Sequence, residues 1–161
     1  MGIYQLIYQS QSLVPFEKEE IVAMLAVCRA YNTAHHITGL LLYTPDGRFL
    51  QVLEGEESAV RGLYLNRVIT DPRHFNSRVY SEGPALKRSF PNWPLGFREA
   101  SASVLRTLLS NVPPDRPGLL VPRPHTRPEL MKLLKEFLAH TEVDATLPDP
   151  WPADARPVGV Y

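Results

Sequence analysis

The sequence predicts an α+β fold in which one mixed β-sheet carries two helices on a single face, followed by a C-terminal helical extension. Three observations lead to this prediction. Short apolar segments have the length of strands, two longer segments repeat their apolar residues at helical spacing, and a Pro45-Asp46-Gly47 turn separates two of the strands. In chain order the elements read β-α-β-β-α-β-β, which suits a ferredoxin-like sandwich.

The first half of the chain supplies a strand, a helix and a hairpin. Residues 3–10 (IYQLIYQS) predict the first strand. Residues 16–32 predict the first helix, because their apolar residues recur every three or four positions. The segments ITGLLLYT and RFLQVLEG flank the Pro-Asp-Gly turn and predict two strands paired as a hairpin. Residues 57–69 predict a second helix that ends at the Asp71-Pro72 break, and NSRVYSEGP and WPLGFREA predict two more strands.

Composition changes after about residue 98, which predicts a domain of residues 1–98 and an extension of residues 99–161. Ten of the sixteen prolines fall in the extension, so the connector at residues 112–128 is expected to be irregular. Helices are predicted on either side of this connector, at residues 103–110 and 127–140.

The helix predicted at residues 127–140 has one continuous apolar face, formed by Leu130, Leu133, Leu134, Phe137 and Leu138. Burying each of these side chains is worth roughly 1.5–3 kcal/mol, so this face must be covered. The first two helices already occupy one face of the sheet, which leaves the opposite sheet face or a second subunit. We expect the sheet face, since it belongs to the same chain, and we keep a homo-oligomer as a further expectation.

Charge and motifs exclude several classes of function. The 17 basic and 17 acidic residues cancel, so neither nucleic acid nor a membrane is an expected partner. There is no phosphate-binding loop, no Cys-x-x-Cys and no Gly-x-Ser-x-Gly, and the five histidines lack the usual spacing of metal ligands. The single Cys28 fits a reducing compartment. We therefore expect a cytoplasmic protein that is not an enzyme and holds no metal.

Three polar residues stand at positions where the pattern calls for apolar ones. Gln51 interrupts a strand that is apolar on both sides, Tyr8 ends the first strand, and Asn32 continues the apolar face of the first helix. A buried amide without partners costs roughly 1–3 kcal/mol, so Gln51 either bonds a neighbouring loop or meets a ligand. The first and third strands of a ferredoxin-like sheet are neighbours, so Tyr8 and Gln51 could meet, with Asn32 above them. Together the three polar side chains would suit a flat aromatic ligand with imide-like edge groups.

The chain resembles the BLUF family of blue-light sensors that use flavin, over about residues 2–98. The resemblance rests on five stretches in order: LIYQS with Tyr8, AYNTAHHITGLLLY with Asn32, FLQVLEG with Gln51, DPRHF with Arg73 and His74, and KRSFPNW with Trp93.

The resemblance implies that a flavin, usually FAD but with FMN not excluded, lies between the two helices. It assigns Asn32 to the imide edge of the ring and Gln51 to the N5/O4 side. The other implied contacts are Arg73 and His74 at the ring's other edge and the ribityl-phosphate side, and the apolar neighbours Met24, Cys28 and Val68.

As a function, the resemblance implies a blue-light receptor whose photoactive residues are Tyr8, Gln51 and Trp93. Light would rearrange hydrogen bonds among Tyr8, Gln51 and the flavin, and the response would pass to an unidentified downstream protein. The alternatives are a light-insensitive partner-binding protein with a degenerate flavin site and, with less support, a flavin-using enzyme.

Two departures from the family pattern bear on this expectation. Leu95 stands where the family commonly has methionine, and a leucine cannot accept a hydrogen bond from Gln51. The interval between LEG and DPRH is about one residue longer than the pattern, which leaves the register of the second helix open. Gly62 in that helix either allows close approach of the ring or marks an irregular turn.

Overall fold

The computed structural model describes residues 2–111 and 126–140, which form a five-stranded mixed sheet and helices on both of its faces. The strands are β1 (Ile3–Ser12), β2 (Thr38–Tyr43), β3 (Arg48–Gly55), β4 (His74–Ala85) and β5 (Gly96–Glu99). The helices are α1 (Lys18–Ala34), α2 (Glu57–Leu63), a π-helical turn (Tyr64–Val68), α3 (Ala102–Asn111) and α4 (Thr126–His140). The predicted order of elements is confirmed, and the expected irregular connector lies mostly outside the described residues.

The sheet order is β4-β1-β3-β2-β5, as a ferredoxin-like sandwich with an added fifth strand requires. β5 runs parallel to β2, and the other neighbouring strands are antiparallel. Gly47 in the turn between β2 and β3 has a φ of +91°, a conformation that favours glycine. In this register Tyr8 on β1 lies directly opposite Gln51 on β3.

Helix α1 begins and ends two residues later than the sequence predicts. At its start, the side chain of Glu20 accepts a hydrogen bond from the backbone N–H of Glu17 at 3.1 Å, so the first helical residue is Lys18 rather than Phe16. At its end, the backbone N–H of His35 bonds to the carbonyl of Tyr31 at 3.1 Å. Because the helix continues to Ala34, Tyr31 and Asn32 lie inside regular helix and not at its end.

The sheet has an apolar core on each face. One face packs against α1 and α2 through Leu6, Leu41, Leu53 and their neighbours. The alternate residues of the same strands, including Ile7, Leu40, Leu50 and Val52, pack against α3 and α4. The expectation that the last helix covers the open sheet face is confirmed, although its buried residues are Leu130, Met131, Leu134 and Leu138, while Leu133 and Phe137 are only partly buried.

Helix α4 is also held to β4 by a polar contact. Nη1 of Arg127 donates to the carbonyl oxygens of Gly83, at 2.6 Å, and Pro84, at 3.0 Å. Gly83 has a φ of +154°, and a Cβ atom at this position would lie only 2.6 Å from Nη2 of Arg127. Glycine therefore leaves the space that the guanidinium fills.

Candidate functional site

A cavity of about 390 Å³ opens between α1, the π-helical turn and the sheet. Its volume lies in the range of roughly 300–1,000 Å³ that is typical of small-molecule sites. The walls are mostly apolar, with a few polar groups; the principal lining residues are Tyr8, Met24, Cys28, Tyr31, Asn32, Leu41, Phe49, Gln51, Asn66, Arg67, Val68, Asp71, Arg73 and Leu95.

The structure brings together seven of the nine residues that the sequence analysis singled out for the site. These seven, which all line the cavity, are Tyr8, Met24, Cys28, Asn32, Gln51, Val68 and Arg73. The backbone of His74 begins β4, but its side chain lies outside the described part of the chain. Trp93 lies within the described residues but does not line the cavity.

Tyr8 and Gln51 form a buried hydrogen bond at the floor of the cavity. The phenol oxygen of Tyr8 donates to Oε1 of Gln51, and both side chains are more than nine-tenths buried. Burial raises the pKa of Tyr8 well above its ordinary value, so the phenol keeps its proton. Because Oε1 is engaged by Tyr8, the amide presents its donor end, Nε2, on the side of the cavity.

Asn32 places a second amide on the cavity wall, opposite the sheet. It is only 2% exposed, and its Nδ2 donates to the carbonyl oxygen of Pro94 at 2.7 Å. This bond fixes the amide, so that Oδ1 is left as an acceptor for a ligand N–H. The two amides thus offer one donor and one acceptor to the same cavity.

A carboxylate engages Arg73 at the mouth of the cavity. Its guanidinium forms a two-pronged pair with Asp71, with Nη2 at 2.6 Å and Nε at 3.0 Å from carboxylate oxygens. This pair raises the pKa of Arg73, which therefore stays charged. The backbone carbonyl of Arg73 also accepts from the N–H of Leu13 at 3.0 Å, which ties the mouth to the end of β1.

A π-helical turn stands in the interval between LEG and DPRH, which the resemblance to the family had marked as about one residue longer than the pattern. The predicted helix at residues 57–69 is α-helical only to Leu63, and the N–H of Ile69 then bonds to the carbonyl of Tyr64, five residues back, at 3.1 Å. Such a turn holds one residue more than an α-helical turn, and π-turns occur frequently at functional sites. Val68, the last residue of this turn, lines the cavity.

Gly62 does not provide close approach to a ligand. A Cβ atom at this position would meet only Nδ2 of Asn66, at an ordinary contact distance of 3.9 Å. We therefore expect Gly62→Ala to raise the free energy of unfolding by roughly 0.5–1 kcal/mol, since alanine favours helix. Denaturant titration checks this, with Gly39→Ala as the matched control, because a Cβ at Gly39 would overlap the carbonyl oxygen of Val52. A loss of stability in Gly62→Ala would contradict it.

Trp93, which the resemblance assigned to the photoactive group, lies on the opposite face of the sheet. It is buried in the core beneath α3 and α4, where its ring stacks on Phe90 with centroids 5.2 Å apart. Leu95 instead lines the cavity and is fully buried. Residues 93–95 precede β5 and are not in regular strand, so positions two apart need not share a face.

The segment between β4 and β5 is held at several points. Inside the fold, the carboxylate of Glu54 accepts from the backbone N–H groups of Ser89, at 2.6 Å, and Phe90, at 2.8 Å. On the cavity side, the side chain of Arg29 donates to the carbonyl oxygen of Leu95 at 2.9 Å, beside the bond from Asn32 to Pro94. Helix α1 therefore holds the backbone next to Trp93 from the cavity side.

Leu95→Met is expected to change the rate of recovery after illumination more than the size of the light-induced shift. Methionine has similar volume and adds a thioether that accepts a weak hydrogen bond at the cavity wall. Time-resolved absorption after a blue pulse measures both quantities. Phe97→Met, a substitution at a fully buried residue of β5 outside the cavity lining, is the control. If the wild type gave no shift and Leu95→Met restored one, leucine would have disabled the switch.

Sequence reasoning missed several residues of the cavity. Tyr31 directly precedes Asn32 and lay within the helix predicted at residues 16–32, but it was not singled out for the site. No pattern in the sequence indicates Arg67, because its position depends on the π-helical turn.

Across residues 2–111 and 126–140, no group of three potential metal ligands occurs, and no helix is both long and apolar enough to cross a bilayer.

Residues 3–96, more than half of the chain, match the family model of BLUF domains, described as sensors of blue-light using FAD. Among curated relatives, a photoactivated adenylate cyclase subunit beta-like protein FB of Euglena gracilis is 36% identical over 103 residues. The photoactivated adenylate cyclase subunit beta of the same organism is 34% identical over 110 residues. These matches cover 63% and 68% of this chain but only 12% of each relative.

Two solved structures are similar over most of their length. BlrB, a BLUF protein in its dark state, is 29% identical with a TM-score of 0.61, covering 83% of this chain and 95% of BlrB. BlsA in its photo-activated state is 25% identical with a TM-score of 0.65, covering 88% of this chain and 99% of BlsA.

Proposed function

This chain belongs to the BLUF family of blue-light sensors, and on that basis we propose that its cavity binds the ring of a flavin and that the Tyr8–Gln51 hydrogen bond is its light-sensitive switch. The observation that carries the proposal is this buried hydrogen bond at the cavity floor. It leaves the donor end of the Gln51 amide on the side where the ring would lie.

The residues of the cavity fit a flavin ring. Apolar side chains form its walls, including Met24, Leu41 and Val68, and these suit the faces of a flat aromatic system. The polar edge of that ring carries carbonyl oxygens and an imide N–H. Nε2 of Gln51 supplies a donor for the first kind of group, and Oδ1 of Asn32 supplies an acceptor for the second.

The switch uses the two ends of one amide. A bound flavin would supply the absorption of blue light and the oxidising power of its excited state. Tyr8, whose protonated phenol donates to Gln51, would give an electron and a proton and take both back. Rotation of the Gln51 amide, or a change of its tautomer, exchanges its donor and acceptor ends and so rearranges the bonds to Tyr8 and to the ring. No group is consumed, so the change is reversible.

We propose FAD as the bound flavin, in keeping with the description of the family, and keep FMN as the alternative; Arg73 and His74 would line the ring's other edge and the ribityl-phosphate side. Arg73 stands at the mouth of the cavity, where its guanidinium pairs with the carboxylate of Asp71. Chromatography of the flavin released from protein purified from cells distinguishes the two: FAD is expected, and FMN alone would correct the assignment.

The response is proposed to leave the cavity through the backbone beside Trp93. Asn32 contacts both the cavity and Pro94, and the neighbouring Trp93 packs in the core that α3 and α4 share. We propose that residues 1–98 are the sensor and that residues 99–161 carry the output to a downstream protein in the cytoplasm, with self-association as a part of the response. Hydrogen exchange of residues 127–140 is expected to differ between dark and illuminated samples, and identical traces would remove α4 from the route.

The proposed function is tested by colour. The purified full chain, supplied with flavin, is expected to show a flavin spectrum that shifts slightly to the red under blue light and returns in the dark. A sample kept dark throughout is the control. A chain that stays colourless would be the light-insensitive partner-binding protein with a degenerate flavin site, and a chain that binds flavin but never shifts would favour the flavin-using enzyme.

A further inference from the structure

We propose that Arg67 and Tyr31 form a clasp across the mouth of the cavity, which retains the flavin by joining the two helical walls of the site and not by binding the ligand's phosphate groups. The clasp rests on the proposed function, since the retained ligand is the flavin. Tyr31 lies on α1 and Arg67 in the π-helical turn, and both residues line the cavity.

The contact between them has the geometry of a cation–π interaction. The guanidinium carbon of Arg67 lies 4.2 Å from the centroid of the Tyr31 ring, well within the limit of roughly 6 Å for such contacts. The side chain of Arg67 is exposed, and among the described residues no carboxylate lies within ion-pair distance of it. The ring of Tyr31 is therefore what sets the position of this guanidinium.

The ring of Tyr31 is itself fixed from its own helix. His35, the C-cap residue of α1, stacks on Tyr31 with ring centroids 4.0 Å apart and planes within 19°. Nδ1 of His35 also contacts the carbonyl oxygen of Tyr31 at 2.9 Å. Arg67 thus meets a ring that is already held in place, which lowers the entropy lost when the contact forms.

The two arginines at the mouth have different surroundings. Arg73 pairs with the carboxylate of Asp71 and lies 5.6 Å from the ring centroid of Phe16, whereas Arg67 has no carboxylate partner among the described residues and lies 4.2 Å from the ring centroid of Tyr31. Arg67 also stands in the π-helical turn, beside Val68, which lines the cavity. Loss of the clasp is therefore expected to loosen the wall that contains Val68.

The test compares flavins with and without a phosphate. Arg67→Ala is expected to raise the dissociation rates of riboflavin and FMN by the same factor, roughly 2- to 5-fold, as expected for one exposed cation–π contact. Tyr31→Leu should do the same, the double variant should add little, and Tyr31→Phe should stay near the wild type. The matched control is Arg61→Ala, because Arg61 is exposed on α2, pairs with Glu57 and does not line the cavity.

A second measurement needs no flavin. In the ligand-free protein, the amides of residues 64–69 are expected to exchange faster in Arg67→Ala than in the wild type or Arg61→Ala. Faster release of FMN with unchanged release of riboflavin would make Arg67 a phosphate contact and overturn the clasp, as would strictly additive effects of the two substitutions or unchanged exchange. A wild type that binds no flavin would end the proposed function, while the exchange experiment would still decide whether the clasp exists.

Discussion

Tyr8→Phe is expected to keep the flavin bound and to abolish the light-induced absorption shift completely. The ring of Tyr8 packs in the apolar cluster beneath α2, and phenylalanine fills the same space. Only the O–H that donates to Oε1 of Gln51 is lost, at a cost of roughly 1 kcal/mol in stability. Difference absorption spectra recorded before and after blue light, on samples of equal flavin content, measure the effect.

Gln51→Leu is expected to give the same result, because it removes the amide whose two ends make the switch. The matched control is Tyr64→Phe. The ring of Tyr64 lies 5.2 Å from that of Tyr8, so this substitution removes a neighbouring phenol without touching the bond to Gln51. A normal light-induced absorption shift in Tyr8→Phe would contradict this mechanism. Colourless Tyr8→Phe and Gln51→Leu proteins would show that both residues are mainly structural.

Leu134→Ala is expected to lower the free energy of unfolding by about 2–5 kcal/mol, the usual cost of a large-to-small change in a core. Leu134 is fully buried where α4 meets the second face of the sheet. Since domains of this kind are stable by about 5–15 kcal/mol in total, the loss would be a large part of the whole. Denaturant titration measures it, and flavin retention is expected to fall with it.

The neighbouring Lys135→Ala is the control, because Lys135 lies on the exposed side of the same helix. It should change stability by less than about 0.5 kcal/mol. If Leu134→Ala left stability unchanged but converted an oligomer into monomers, α4 would be a contact between subunits. Hydrodynamic measurements of both variants distinguish these outcomes.

The pairing of Tyr8 with Gln51 was predictable because it depends on topology alone. The order of elements places β1 beside β3, and strand periodicity then makes the two residues face the same side. Asn32 followed from helical periodicity in the same way. The cover of the second sheet face by α4 followed from the amount of apolar surface that this helix must bury.

The parts that escaped prediction depend on irregular backbone. Trp93 precedes β5 in a segment without strand periodicity, so its face could not be inferred from that of Leu95. The π-helical turn breaks the α-helical period from which the second helix was predicted, and the position of Arg67 changes with it. Met131 is buried in α4 while Leu133 is only partly buried, because contact with the rest of the core, not the apolar stripe alone, decides which side chains are covered.

The contact between Arg67 and Tyr31 has a counterpart at the far side of the molecule, where Arg127 binds the carbonyls of Gly83 and Pro84. β4 is an edge strand of twelve residues, and such edges tend to recruit strands from other copies of a chain. In β4, the guanidinium of Arg127 occupies two carbonyl acceptors, and Pro84 has no N–H to donate. The pairing of β4 with β1 also contains register shifts, which increase the twist of the strand. The arginine that anchors the last helix thereby also makes this end of the edge a poorer template for a strand from another copy of the chain.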